Sequence, residues 1–346
     1  MTVQENKPAI GGSKLESHFA HFQKWVDGLL PGPLVVEVAA THGCNHDCIH
    51  CGFQQFSRFS NEISFLPSIP FKRFIDDFAD MGGDEIYFAG NGEPLLNENI
   101  DEWMHYIHEK NVGCALSSNG QLLSAERIKR ILPVTRWIRF SVNGGNPATY
   151  AAVHRCRPED FHTLTQNLAQ AVAWRNQHNL AVQLVIQSLI YEVNRQSVMD
   201  LVAAHCAIGT DLLILRNVTF KGEHDPTPSE EIIQTLKEAE KFPRVKVRWE
   251  TYGVNASEND WTHCYGINFR TNMDHLGNLF ACFCPDSIYG NIQEQSFREI
   301  WRSDQKKKLF ELIESGQYIP TCKRWCPTGY DNVFIEKYLK GKNHEQ

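Results

Sequence analysis

Three cysteines fall within eight residues, Cys44-Asn45-His46-Asp47-Cys48-Ile49-His50-Cys51, directly after the apolar run Leu34–Thr41 (LVVEVAAT). The chain holds 11 cysteines, an odd number that cannot form a complete disulfide framework. Residues 1–14 (MTVQENKPAIGGSK) are polar and Gly-rich, without the apolar centre of a signal peptide. No stretch approaches the roughly 18 uninterrupted apolar residues of a membrane span. The expected compartment is therefore the cytoplasm, where clustered cysteines read as metal ligands or catalytic thiols. Beyond the first three, five lie at 264, 282, 284, 322 and 326. Cys114, Cys156 and Cys206 stand alone, and Cys114 and Cys206 are expected in the core.

The formal charge of −7 argues against a nucleic-acid partner, which would reward a basic face. The basic run Lys306-Lys307-Lys308 reads as a solvated helix face.

Short β-branched or aromatic runs recur after the first: Glu85–Ala89, Gly113–Ser117, Trp137–Val142, Ala181–Leu189 and Asp211–Arg216. Helical patterns separate them, over Ile69–Met81, Glu98–Lys110, Ser124–Leu132, Pro158–His178, Arg195–Ile208 and Ser229–Lys241. Six strand–helix repeats predict an α/β fold, a parallel sheet curled into a partial (β/α)6 barrel. After Pro243 the pattern changes. Val245–Tyr252 alternates like a strand, Asn268–Cys284 reads as a hairpin turning at residues 275–278, and Phe297–Ser315 reads as one helix. The expected organisation is an N-terminal extension (1–33) whose stretch Leu15–Leu30 forms one capping helix, a barrel (34–242), a small hairpin-plus-helix domain (243–335) and a tail (336–346).

The cysteine loop sits at the C-terminal end of the first strand, the face on which barrel enzymes place their chemistry. Three close thiolates suit a cubane iron–sulfur cluster with one iron left without a protein ligand. A zinc knuckle that borrows His42, His46 or His50 is the competing reading, but zinc sites favour C-x2-C pairs and the first spacing here is x3.

The loop resembles the C-x3-C-x2-C signature of the radical S-adenosylmethionine (SAM) superfamily. Other strand ends resemble that family's motifs. Gly90-Asn91-Gly92-Glu93-Pro94 is similar to its Gly-Gly-Glu-Pro, Ser117-Ser118-Asn119-Gly120 to its Thr-Asn-Gly, and Ser141-Val142-Asn143-Gly144 to its Ser-x-Asp/Asn-Gly. The resemblance covers residues 34–220 and implies that Cys44, Cys48 and Cys51 hold a [4Fe–4S] cluster whose open iron is chelated by SAM. It implies SAM contacts from His50, Gly92, Glu93, Pro94, Ser118, Asn119, Ser141 and Asn143, with Gln187 and Arg157 as further candidates. His50 departs from the aromatic residue usual before the third cysteine.

Cys264-x12-Gly277-x4-Cys282 resembles the opening of the SPASM and twitch extensions of this family. A full SPASM extension has seven cysteines and two clusters. Five here fit a twitch-like domain with one auxiliary [4Fe–4S] cluster on Cys264, Cys282, Cys322 and Cys326. Cys284 is then a structural thiol or, in the sharper reading, a catalytic hydrogen-atom donor that would make the enzyme an epimerase. The resemblance implies reductive cleavage of SAM to a 5′-deoxyadenosyl radical, hydrogen abstraction from substrate, and an external one-electron reductant such as flavodoxin or ferredoxin. Compact relatives suggest dehydrogenation or epimerisation of a small polar metabolite such as a sugar, aminocyclitol or nucleoside. Peptide modification is the alternative, and a non-catalytic metal-binding protein is the reading from another class.

Overall fold

The structure is a computed structural model that describes residues 14–51, 63–218, 228–252, 261–281, 287–316, 326 and 328–343. Its strands, in chain order, are β1 Val35–Val38, β2 Thr41–His42, β3 Ser64–Phe65, β4 Glu85–Phe88, β5 Gly113–Ser118, β6 Trp137–Ser141, β7 Gln183–Ile190, β8 Leu212–Asn217, β9 Val245–Val247, β10 Arg270–Met273, β11 Asn278–Phe280 and β12 Ile288–Asn291. The helices are α1 Lys14–Ser17, α2 Phe19–Val26, α3 Ser68–Asp80, α4 Ile100–Glu109, α5 Ala125–Ile131, α6 Pro147–His154, α7 Glu159–Gln177, α8 Val198–Ile208, α9 Glu230–Ala239, α10 Phe297–Trp301, α11 Asp304–Glu314 and α12 Gly329–Asn343.

Ten strands form one sheet in the order β12-β11-β10-β1-β4-β5-β6-β7-β8-β9. Pairing is parallel from β10 through β9 and antiparallel in the meander β10-β11-β12. The six expected barrel strands are therefore present in sequence order. Strand β9 adds to one edge, and the hairpin adds beside β1 on the other. Among the described residues β9 and β12 do not meet, so the barrel is partial. No described helix is long and apolar enough to cross a membrane.

Side-chain alternation gives the sheet two unlike faces. Val36, Val38, Ile86, Phe88, Leu116, Ile138, Phe140, Leu184, Ile186, Leu213 and Leu215 are buried against the helices. Helix α3 presents Phe71, Phe74, Ile75 and Phe78 at helical spacing to this layer and stops where Gly82 takes φ +84°. The opposite face carries Glu37, Tyr87, Ser117, Arg139, Gln187 and Arg216. Its polar side chains bond one another: Tyr87 Oη to Ser117 Oγ at 2.6 Å, Arg139 Nε to Ser117 Oγ at 2.9 Å, and Arg270 to Glu37 at 2.5 Å.

Five expectations need correction. The stretch Leu15–Leu30 is two short helices, because Ser17 Oγ and the His18 ring bond back to Lys14 O and interrupt the turn. The region Phe297–Ser315 is likewise two helices, since Ser303 accepts from the Lys306 amide and caps α11. Lys306 is buried, 3% exposed, with its ammonium 4.2 Å from the Trp301 ring centre and 3.9 Å from that of Phe310, so it is not a solvated lysine. Cys206 is exposed on α8, whereas Cys114 is buried as expected. Residues from 336 onward do not hang free: α12 runs to Asn343, and Tyr338 meets Phe22 of α2 with ring centres 5.0 Å apart.

The short α1–α2 segment is pinned to the strands by charge. Asp84 faces Lys14 at 3.6 Å, His18 at 3.3 Å and Arg136 at 2.9 Å, and Lys14 also reaches Glu85 at 2.7 Å. Burial pushes the Asp84 carboxyl up, but the His18 bond and the charges of Lys14 and Arg136 outweigh it and hold the group well below the usual carboxylate range. A carboxyl depressed in the folded state contributes stability above its unfolded pKa near 3.8, lost as pH falls through the folded value. Asp84→Asn is expected to cost about 1–3 kcal/mol at pH 7. Urea denaturation at pH 7 and at about pH 3 should show the gap to wild type narrowing in acid.

Candidate functional site

Residues 43–51 leave β2 and are held by the backbone of two neighbours. The last turn of α6 offers unsatisfied carbonyls, and the loop fills them: Asp47 N–H donates to His154 O at 3.1 Å and Ile49 N–H to Val153 O at 2.9 Å. On the other side Glu93 N–H donates to Gly43 O at 3.0 Å, and Gly43 and Gly92 form a parallel bridge. Gly92 has φ +146°, and a Cβ there would stand 2.2 Å from Gly43 O. Only glycine permits that approach.

Within this frame Cys44, Cys48 and Cys51 are half-buried thiols whose charges act on one another. Burial, with Glu93 close by, pushes the Cys44 thiol up to about 12, and burial pushes Cys48 higher still. Three such sulfurs become thiolates only beside a compensating cation. The donor set of three soft sulfurs suits an iron–sulfur cluster.

The strand ends converge on the loop. Glu93 is buried, and its carboxylate accepts from Ser118 Oγ at 2.7 Å, Asn119 N–H at 2.8 Å and Leu95 N–H at 3.1 Å. Burial raises its pKa against those bonds. Pro94 opens a short 3-10 turn, Pro94–Leu96, and is itself buried. Asn119 donates to Asn45 Oδ1 at 2.7 Å and lies 3.9 Å from Cys44 Sγ. Asn143 joins the end of β6 to the loop, with its amide 3.2 Å from His50 Nε2 and its Oδ1 accepting from Leu189 N–H at 2.8 Å. Burial lowers the His50 pKa to about 4, so the ring is neutral. Ser141 and Gln187 are register partners across β6 and β7.

Arg157 stands at the exposed rim of this centre. Its side chain is 81% exposed, pairs with Asp160 at 3.2 Å, and lines a cavity of about 540 Å³ with Asn45, Gln121, Cys156 and Thr163. His154 lies outside the motifs that the sequence singles out, yet it reaches the cysteine loop. Its Nδ1 lies 3.0 Å from Cys48 Sγ. His46, His154 and Cys48 offer ligand atoms within 4.8 Å of one another, and both His46 ring nitrogens are buried without a hydrogen bond. A His-rich loop facing the His-Arg-Cys-Arg segment was the available signal.

In the C-terminal region Cys264 and Cys326 are drawn together through a shared polar pair. Asn332 Nδ2 reaches Cys264 Sγ at 3.7 Å and Thr328 Oγ1 at 3.5 Å, and Thr328 Oγ1 lies 3.0 Å from Cys326 Sγ. Cys282, Cys284 and Cys322 lie outside the described residues. Gly92→Ala should destabilise the protein by about 3 kcal/mol or more, because the strained φ and the clash act together. Gly341→Ala, in open space on α12, is the matched control and should not destabilise it; urea midpoints measure both.

A Radical SAM superfamily model matches residues 38–173, and a SPASM iron-sulfur cluster-binding domain model matches residues 264–327. The Fe-coproporphyrin III synthase of Methanosarcina barkeri is 29% identical over 192 residues, covering 55% of this chain and 43% of that protein, so the chain spans less than half of that relative's length. The AdoMet-dependent heme synthase of the same organism is 23% identical over 309 residues, covering 78% of this chain and 82% of that one. Among solved structures, Streptococcus suis SuiB bound to precursor peptide SuiA aligns with a TM-score of 0.64 at 14% identity, covering 88% of this chain and 76% of that one. The structure of anSMEcpe with bound AdoMet aligns with a TM-score of 0.58 at 15% identity, covering 90% and 99%. At such identities the structural likeness speaks for the fold alone. With the radical SAM match on the strands that carry the cysteine loop and the SPASM match on the C-terminal cysteines, the chain belongs to the radical SAM superfamily: an enzyme of SAM and a [4Fe–4S] cluster, with auxiliary iron–sulfur binding in its C-terminal domain.

Proposed function

We propose that the protein cleaves SAM reductively, uses the 5′-deoxyadenosyl radical to take a hydrogen atom from a small polar metabolite, and completes a redox change, dehydrogenation or epimerisation. The observation that carries this reading is the polar inner face of the sheet. Glu37, Tyr87, Ser117, Arg139, Gln187 and Arg216 line it where a barrel packed for stability alone would carry branched apolar residues. Hydroxyl, amide and guanidinium groups there suit a ligand rich in hydrogen-bonding groups.

Cys44, Cys48 and Cys51 hold the first cluster, and Cys264, Cys282, Cys322 and Cys326 hold one auxiliary cluster. When bound, the first cluster supplies the electron that breaks the sulfonium–carbon bond of SAM, and the second is a one-electron acceptor. The chain's own groups bind and orient. Gly92 lets the backbone approach the ligand, and Glu93 with Ser118 and Asn119 forms a hydrogen-bonded rim for the methionyl end of SAM. Asn143 positions His50, whose neutral ring faces the adenosyl end, while Ser141 and Gln187 border the space beyond. Arg157, exposed and paired with Asp160, is left as a surface residue beside this site. A flavodoxin or ferredoxin is the reductant. Residues 34–242 act as the SAM-binding unit and 243–335 as the auxiliary unit.

A second reading follows from the relatives named heme synthases: a carboxylate-bearing heme precursor as substrate. Arg139 favours it, since its guanidinium donates to the neutral hydroxyls of Ser117 and Tyr87, which leave its charge available to an anion.

Anaerobic reconstitution is expected to give about eight irons per chain. Cys48→Ala and Cys264→Ala should each lose about four, and Cys48→Ala should abolish the 5′-deoxyadenosine formed with dithionite and SAM. Zinc in place of iron, or no 5′-deoxyadenosine from the wild type, would overturn the reading. For the outcome, turnover of the identified substrate in D2O separates the two chemistries. Carbon-bound deuterium that disappears in Cys284→Ala marks epimerisation, and an oxidised product without deuterium marks dehydrogenation.

A further inference from the structure

We propose that His154 is a positioning residue that donates its Nδ1–H to the sulfur of Cys48 and thereby raises the reduction potential of the cluster held by Cys44, Cys48 and Cys51. The inference rests on that cluster assignment. The geometry fixes the tautomer from the far side of the ring. Asn143 N–H donates to His154 Nε2 at 3.1 Å, so Nε2 is the acceptor nitrogen. A neutral imidazole that accepts at Nε2 carries its proton on Nδ1, and Nδ1 lies 3.0 Å from Cys48 Sγ.

The ring has little freedom to turn away. His154 is 1% exposed, stacks on Tyr150 with ring centres 4.2 Å apart, and meets His46 and His50 edge-on at 5.3 and 6.1 Å. Its own carbonyl accepts the Asp47 amide, so the residue that offers the N–H also anchors the loop that carries the sulfur.

The same arrangement speaks against His154 as a metal ligand. Ligation through Nδ1 would move the proton to Nε2, where it would confront the Asn143 N–H, leaving two donors face to face in a buried place. As a donor, the N–H places a positive dipole end on a cysteine sulfur. Reduction adds negative charge to the cluster, so that dipole stabilises the reduced state more than the oxidised one. Asn143 thus serves both histidines, His50 through its side chain and His154 through its backbone.

The test uses the reconstituted full-length holoprotein under anaerobic conditions, with potentiometric titration of the EPR signal that changes on adding SAM. His154→Phe keeps a ring and removes the donor; its midpoint potential is expected to shift negative with iron content and SAM response retained. His154→Asn restores a side-chain N–H near the Nδ1 position and should return the potential towards wild type. Full iron with an unchanged midpoint in His154→Phe would overturn the proposal. Where His154→Phe does not assemble, pulsed EPR of wild-type protein with 15N-labelled histidine decides. One weakly coupled nitrogen on the reduced cluster is the expected result. A strong coupling, as for a ligated imidazole, or no coupling at all, overturns it. Failure of the wild type to form a SAM-responsive cluster instead refutes the underlying assignment.

Discussion

Everything around the cysteine loop depends on one backbone contact, the approach of Gly92 to the carbonyl of Gly43. The two glycines bridge the end of β4 to the loop that follows β2, and a single methyl group at Gly92 would occupy the space of that carbonyl. Once the bridge is made, Glu93 is carried beneath the loop, where its carboxylate gathers the ends of β4 and β5 through Ser118 and Asn119. A buried carboxylate with three donors is costly to leave unpaired. The bridge and the carboxylate therefore reinforce each other, and the position of Cys44 follows from both.

The other half of the loop is fixed by a helix end. Helix α6 terminates at Arg155 in the left-handed conformation, φ +49°, which turns its last carbonyls towards the loop. Asp47 and Ile49 amides cap them. A strand end and a helix end thus each donate what their geometry leaves unsatisfied, and the loop between Cys44 and Cys51 is held without secondary structure of its own.

Much of this was legible from residue order. The six parallel strands, the loop after the first, and the Gly92-Glu93-Pro94 and Asn143 positions all follow from local pattern, because strand periodicity and glycine punctuation are local properties. What escaped depends on non-local pairing. His154 stands 106 positions from Cys48 and became its neighbour only when α6 docked. Arg157, three residues further on, lines the cavity beside the loop and pairs there with Asp160 in the first turn of α7, a partner that its sequence neighbourhood supplies. Three lysines in a row look like a solvated face, yet tertiary packing on Trp301 and Phe310 takes Lys306 inside. The breaks at Ser17 and Ser303 show the reverse case, in which a hydroxyl bonding its own backbone defeated a longer amphipathic pattern.

The hairpin strand β10 lies beside β1, residue 270 against residue 35, so the strand that leads into the cysteine loop is completed by chain made more than two hundred residues later. During synthesis that edge of β1, Val-Val-Glu-Val, stays open until Arg270–Met273 emerge. An exposed apolar edge of this kind invites pairing with other chains, and closing it requires a long loop. Truncation within the C-terminal region should therefore be felt at the opposite end of the sequence, as aggregation through β1. The timing of cluster insertion is tied in the same way to arrival of the last third of the polypeptide.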